Sequence, residues 1–105
     1  MRSKPYKQFL ELSKALSDDT RADIVLLLAS GEKCVCEIFN HLKLPQNLVS
    51  HHLKILRQSK LIVNRKNGKW VRYSLNRETM KKLQEILGEI IAIKKSKSKC
   101  NIINN

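Results

Sequence analysis

Apolar residues recur at helical spacing from the start of the chain. Tyr6, Phe9, Leu12 and Leu16 predict a short amphipathic helix over residues 5–16, with Pro5 in its first turn. The cluster LSDDTR follows. In it Ser17, Asp18 or Asp19 caps a second helix that begins near Thr20, runs through Ile24, Val25, Leu27 and Leu28, and stops at Gly31. A third helix buries Val35, Ile38, Phe39 and Leu42 and is interrupted at Lys43-Leu44-Pro45, because proline cannot continue a helix and biases its predecessor toward extended geometry. Leu48, Val49, Leu53 and Leu56 give a fourth helix its inward stripe, with Gln46, Asn47, Ser50, His51, Lys54, Arg57 and Gln58 on the other face. Two such helices around a tight turn make a helix-turn-helix.

After Leu61 the apolar period changes from helical to alternating. Residues 62–66 and 69–75 flank Asn67-Gly68, a strong hairpin signal, since a type I′ turn needs positive φ at both central positions. A basic two-stranded wing directly after a helix-turn-helix is a winged-helix arrangement. A last helix begins at Arg77 and carries Met80, Leu83, Leu87 and Ile90 at heptad-like spacing. Ile86, Ile91 and Ile93 widen its apolar surface beyond one stripe, so part of it is expected to pack on another subunit. The expected fold is mostly α with a small β-hairpin. One winged helix-turn-helix domain covers residues 1–95, and a flexible basic tail covers 96–105.

Composition narrows the function. A chain of 105 residues with 42% hydrophobic residues forms one domain with a core, which excludes a two-domain enzyme and a disordered protein. The longest apolar run, Ile24 to Ala29, is too short to span a membrane, and MRSKPYKQF lacks the apolar segment of a secretory signal, so the expected location is the cytoplasm. The net charge of +12 points to a polyanion, and its distribution is more telling. Residues 38–77 hold nine Lys and Arg and no carboxylate. On a winged helix-turn-helix, Gln46, Asn47, Ser50 and His51 are placed to reach base edges in the major groove. Lys54, Arg57, Arg65, Lys66 and Lys69 are placed to meet phosphates of double-stranded DNA and make binding salt-dependent. No paired carboxylates, Gly-rich phosphate loop or nucleophile–base set argues for an enzyme.

Three cysteines, Cys34, Cys36 and Cys100, are an odd count in a chain expected in a reducing compartment, which argues against a disulfide framework and leaves metal binding, redox sensing and plain packing open. Lys33 and a helix N-terminus both favour thiolate at the first pair. In a regular helix, residues two apart point about 200° away from each other, so Cys34 and Cys36 grip one ion only if the backbone is extended or distorted. Capture of an ion is therefore expected to deform the first turn of the helix-turn-helix. His51 and His52 diverge by about 100° and chelate poorly.

The ordered set LSDDTR, EKCVCEI, VSHHLKILRQSKLI and NGKWVRYSL resembles the ArsR/SmtB family of metal-sensing transcriptional repressors over roughly residues 9–87. The resemblance implies a homodimer joined through its first and last helices, which binds operator DNA and releases it when a metal ion binds. It implies that Cys34 and Cys36 ligate the inducer, As(III) or Sb(III), with Cd(II) or Pb(II) as alternatives, and that His52 lies near the DNA backbone. The chain departs from the family where a third cysteine often stands, since that position is Phe39; Cys100 is a candidate third thiolate. It also lacks an N-terminal arm cysteine, a His beyond His52, and the serine that usually caps the recognition helix, replaced here by Pro45. A thiol-redox repressor of the same fold and a nonspecific architectural DNA-binding protein are the competing readings.

Overall fold

The computed structural model describes residues 4–96, with side chains described over 6–92. Its elements are α1 (Lys4–Ala15), α2 (Asp19–Leu28), β1 (Lys33–Cys34), α3 (Val35–Leu42), α4 (Gln46–Gln58), β2 (Ile62–Asn67), β3 (Trp70–Leu75) and α5 (Arg77–Ser96). The order of helices and hairpin is the one that the apolar spacing predicts. One core unites the elements: Leu12 and Ala15 from α1, Ile24 and Leu28 from α2, Ile38 from α3, Val49, Leu53 and Leu56 from α4, then Leu61 and Ile62. Met80 and Leu83 of α5 pack against it. None of the described helices is long and apolar enough to cross a membrane.

Caps set how the helices enter and leave this core. Asp18 is the N-cap of α2, its carboxylate accepting the Arg21 N–H at 3.1 Å. The Arg21 side chain donates back to the Ala15 carbonyl at the end of α1, at 2.7 Å, and so closes the corner between the two helices. At the far end of α4, Lys60 takes a left-handed conformation at φ 68°, donating to Arg57 O, while the Leu61 N–H reaches Leu56 O at 3.0 Å. That is a Schellman ending with a lysine where glycine is usual, and the fully buried Leu56 and Leu61 complete it. It turns the chain from the helix-turn-helix directly into the wing.

Three local expectations need correction. The sheet has three strands, in the order β1-β3-β2, because Lys33 and Cys34 pair antiparallel with Tyr73 and Arg72. A two-residue strand has too little alternation to register in the sequence. The hairpin turn is displaced by one residue. Asn67 pairs with Trp70, so Gly68 and Lys69 are the central residues, and of these only Gly68 has positive φ (65°). That is the signature of type II′ rather than type I′. Within α4 the inward stripe is Val49, His52, Leu53 and Leu56, with Leu48 41% exposed.

Candidate nucleic-acid interface and thiol pair

Helix α4 presents its polar face as a continuous surface: Gln46, Asn47, Ser50, His51, Lys54 and Arg57 are all exposed. Pro45 stands at its N-cap without a side-chain hydrogen bond, as the missing serine implies. The wing adds Arg65, Lys66 and Lys69, all exposed. These candidate DNA contacts thus share one helix face and the hairpin that follows it.

His52 does not belong with them. It is 9% exposed and faces α2, with Arg21 Nη1 3.3 Å and Asp18 Oδ2 3.8 Å from its Nδ1. A guanidinium can only donate, so Nδ1 accepts that hydrogen bond and the ring proton sits on Nε2. Helical periodicity explains the reversal, since positions 49, 52, 53 and 56 line one face and 52 falls inside it.

The cysteines meet where β1 becomes α3. Cys34 is the N-cap of α3 in extended geometry (φ −79°, ψ 159°), and Cys36 lies in the first turn. The two form a disulfide, with their Cα atoms 5.4 Å apart, against the expectation drawn from an odd cysteine count and a reducing compartment. The 200° divergence of a regular helix does not apply, because Cys34 is still strand. The sulfurs therefore converge through the extended backbone that helix geometry requires for the pair to share one partner. Cys34 is buried and Cys36 exposed, so the pair opens to solvent on one side. Lys33 Nζ donates to Ser30 Oγ at 3.2 Å and to the Gly31 carbonyl at 3.3 Å. The Glu37 carboxylate accepts the Cys34 N–H at 2.8 Å and fixes the junction.

Among the described residues, no group of three or more His, Cys, Asp or Glu is arranged to hold a metal ion. Cys100, the candidate third thiolate, lies outside the described residues. His41 stands apart, 3.9 Å from Asp23 on the exposed side of α2 and α3.

Glu32 and Arg72 enter as functional candidates that sequence patterning does not reveal. The Glu32 carboxylate binds Arg65 Nη2 at 2.8 Å and Arg72 Nε at 3.0 Å. Hydrogen bonds from Arg65 first, and from Arg72 second, hold its carboxyl below the usual carboxylate range. The Asp18 carboxyl is lowered too, chiefly by the Arg21 backbone N–H. A signal for Glu32 was present, as it stands two residues before Cys34 and, with Glu37, is one of the last two carboxylates before the carboxylate-free stretch.

Residues 18–63 match the model of the bacterial regulatory proteins of the arsR family. The chain is 48% identical over 68 residues to the arsenical resistance operon repressor of Escherichia coli strain K12, covering 64% of this chain and 58% of that protein. To the arsenical resistance operon repressor of Staphylococcus xylosus it is 41% identical over 73 residues, covering 70% of each. Among solved structures, an ArsR-like transcriptional regulator from Rhodococcus sp. RHA1 shares the fold with a TM-score of 0.77 at 22% identity, covering 93% of this chain and 97% of that one. The fold and these relatives are those of transcriptional regulators rather than enzymes, and the chain belongs to the arsR family of bacterial regulatory proteins.

Proposed function

We propose that this protein is a cytoplasmic, homodimeric repressor that holds operator DNA through α4 and the wing, and lets it go when As(III) or Sb(III) is captured by Cys34 and Cys36. The observation that carries the reading is the convergence of two sulfurs at the entrance to the helix-turn-helix. Thiolates are soft donors that suit arsenic and antimony. Two reduced thiols displace two hydroxyls from arsenous acid, forming two As–S bonds and releasing two waters. Cys34 is paired with Arg72 of the wing, and Cys36 lies in the first turn of α3. Capture therefore acts on both sides of the DNA-reading unit, and its preference for one arrangement of β1 and α3 biases the dimer away from DNA. Gln46, Asn47, Ser50 and His51 read bases; Lys54, Arg57, Arg65, Lys66 and Lys69 hold phosphates; Cys100 is available as a third thiolate.

The test is an operator gel shift with reduced wild type, Cys34→Ser and Cys36→Ser, titrated with arsenite, antimonite, cadmium, lead and zinc. The wild type is expected to release at the lowest concentration of arsenite or antimonite, and each variant to need at least about tenfold more arsenite, since losing one of two thiolates leaves a single donor. Release of both variants at the wild-type concentration would overturn the assignment.

The disulfide favours one further reading, a repressor switched by thiol oxidation. There hydrogen peroxide takes two electrons and two protons from the pair and leaves as two waters. Titrating peroxide beside arsenite in the same assay separates the two.

A further inference from the structure

Arg65 of β2 stands directly opposite Arg72 of β3, and Arg72 directly opposite Cys34 of β1. Directly paired residues in antiparallel strands share a face, so one cross-strand row carries a sulfur and two guanidiniums. Two like charges in such a pair repel unless something lies between them. Glu32, one strand repeat before Cys34, supplies it. Its Oε1 accepts from Arg65 Nη2 at 2.8 Å and Arg72 Nε at 3.0 Å, and its Oε2 accepts from Arg65 Nε at 3.3 Å. Both oxygens are engaged, in the fork geometry with which arginine also grips phosphate. The side chains remain open to solvent, Glu32 31%, Arg72 34% and Arg65 59% exposed.

We propose that Arg65 and Arg72 form a phosphate-binding pair for the DNA backbone, and that Glu32 is its built-in competitor, filling in the free protein the place that a DNA phosphate takes in the complex. The inference rests on the DNA-binding reading above for its ligand. Exposed ion pairs are weak and screened by salt, so a polyanion with many phosphates displaces a single tethered carboxylate. Glu32 thereby lowers affinity without blocking the site. It also attaches that control to the strand that carries Cys34, so a shift of β1 moves the competitor with it.

The experiment compares full-length reduced wild type, E32Q and E78Q on heparin, on a random duplex and on the upstream operator fragment across a salt series. Glu78, in the first turn of α5, gives the same charge change away from the arginine pair. E32Q is expected to bind DNA about three- to tenfold tighter than wild type, with a log–log salt slope steeper by about 1–2, as freed arginines displace counterions. E78Q keeps the wild-type slope, and adding R65Q and R72Q to E32Q removes the gain. Should E32Q fail to fold, E32D, which draws the carboxylate back by one methylene, is expected to shift binding in the same direction. Coincident E32Q and E78Q curves, or weaker binding by E32Q with a wild-type melting profile, would overturn the proposal. If the wild type does not prefer its operator while heparin and random duplex still hold E32Q more tightly, the repressor reading fails and the phosphate pair stands. If arsenite releases the operator while E32Q matches E78Q, the phosphate pair alone falls.

Discussion

His52 and the two lowered carboxyls show how single residues divide between structure and recognition. His52 is enclosed between α4 and α2 with its Nδ1 accepting from Arg21. Its replacement by alanine leaves a cavity and an unpartnered guanidinium edge, and is expected to cost about 1–3 kcal/mol in urea unfolding. Base preference in the folded variant should be unchanged, which sets His52 apart from the exposed His51. Asp18 and Glu32 set the acid limit. Both have folded-state carboxyls below their unfolded values, so their stabilisation is complete above the ordinary carboxylate range and is lost as pH falls through the lowered ones. Thermal melts should therefore be flat from neutrality to about pH 5 and decline below it, with D18N and E32Q flattening that decline. The exposed candidates at 46, 47, 50 and 51 were legible because polar residues on an amphipathic helix face outward. His52 was not, because a histidine carries no hydropathic label that separates a solvent-facing position from an enclosed one.

At the scale of elements, two positive-φ residues make opposite predictions. Lys60 occupies the left-handed position that ends α4, at φ 68°, and Gly68 occupies the wing turn, at φ 65°. A side chain in that region carries backbone strain that glycine escapes. Lys60→Gly is expected to raise stability by up to about 1 kcal/mol, and Gly68→Ala to lower it by about 1 kcal/mol, both read by chemical denaturation. No atom lies within 4 Å of a methyl built at Gly68, so that cost is conformational rather than steric. Helix boundaries were readable to within a few residues because apolar spacing and the Asp18 cap mark them. The thiol junction was not, since whether Cys34 is helix or strand depends on its pairing with Arg72, thirty-eight positions away in sequence. Only tertiary contact decides that.

The whole molecule leaves one face of α5 uncovered. Leu87, Ile90 and Ile91 are 46%, 44% and 63% exposed along it, and Tyr6 of α1 is 41% exposed. Covering the roughly half of each side chain that is still exposed is worth about 1 kcal/mol each, the scale on which a second copy would be held. On the proposed homodimer, replacing Leu87 and Ile90 together with glutamate is expected to give a monomer in light scattering and to weaken operator binding, since a dimer places two recognition helices on one site. The melting temperature at low protein concentration should change little, because neither residue is enclosed in the single chain. The apolar excess on this helix was visible in the sequence; which copy or surface meets it is a property of the assembly.

On the proposed reading, the short strand β1 also makes the sensing chemistry interchangeable. Residues 33 and 34 join the sheet through main-chain pairing with 73 and 72, and Glu37 anchors the junction through the amide of residue 34, so none of these ties calls for sulfur. Other donor atoms seated at 34 and 36 would retune the stimulus and leave the grammar of α4 untouched, letting one scaffold learn a new chemical input while keeping its genomic address.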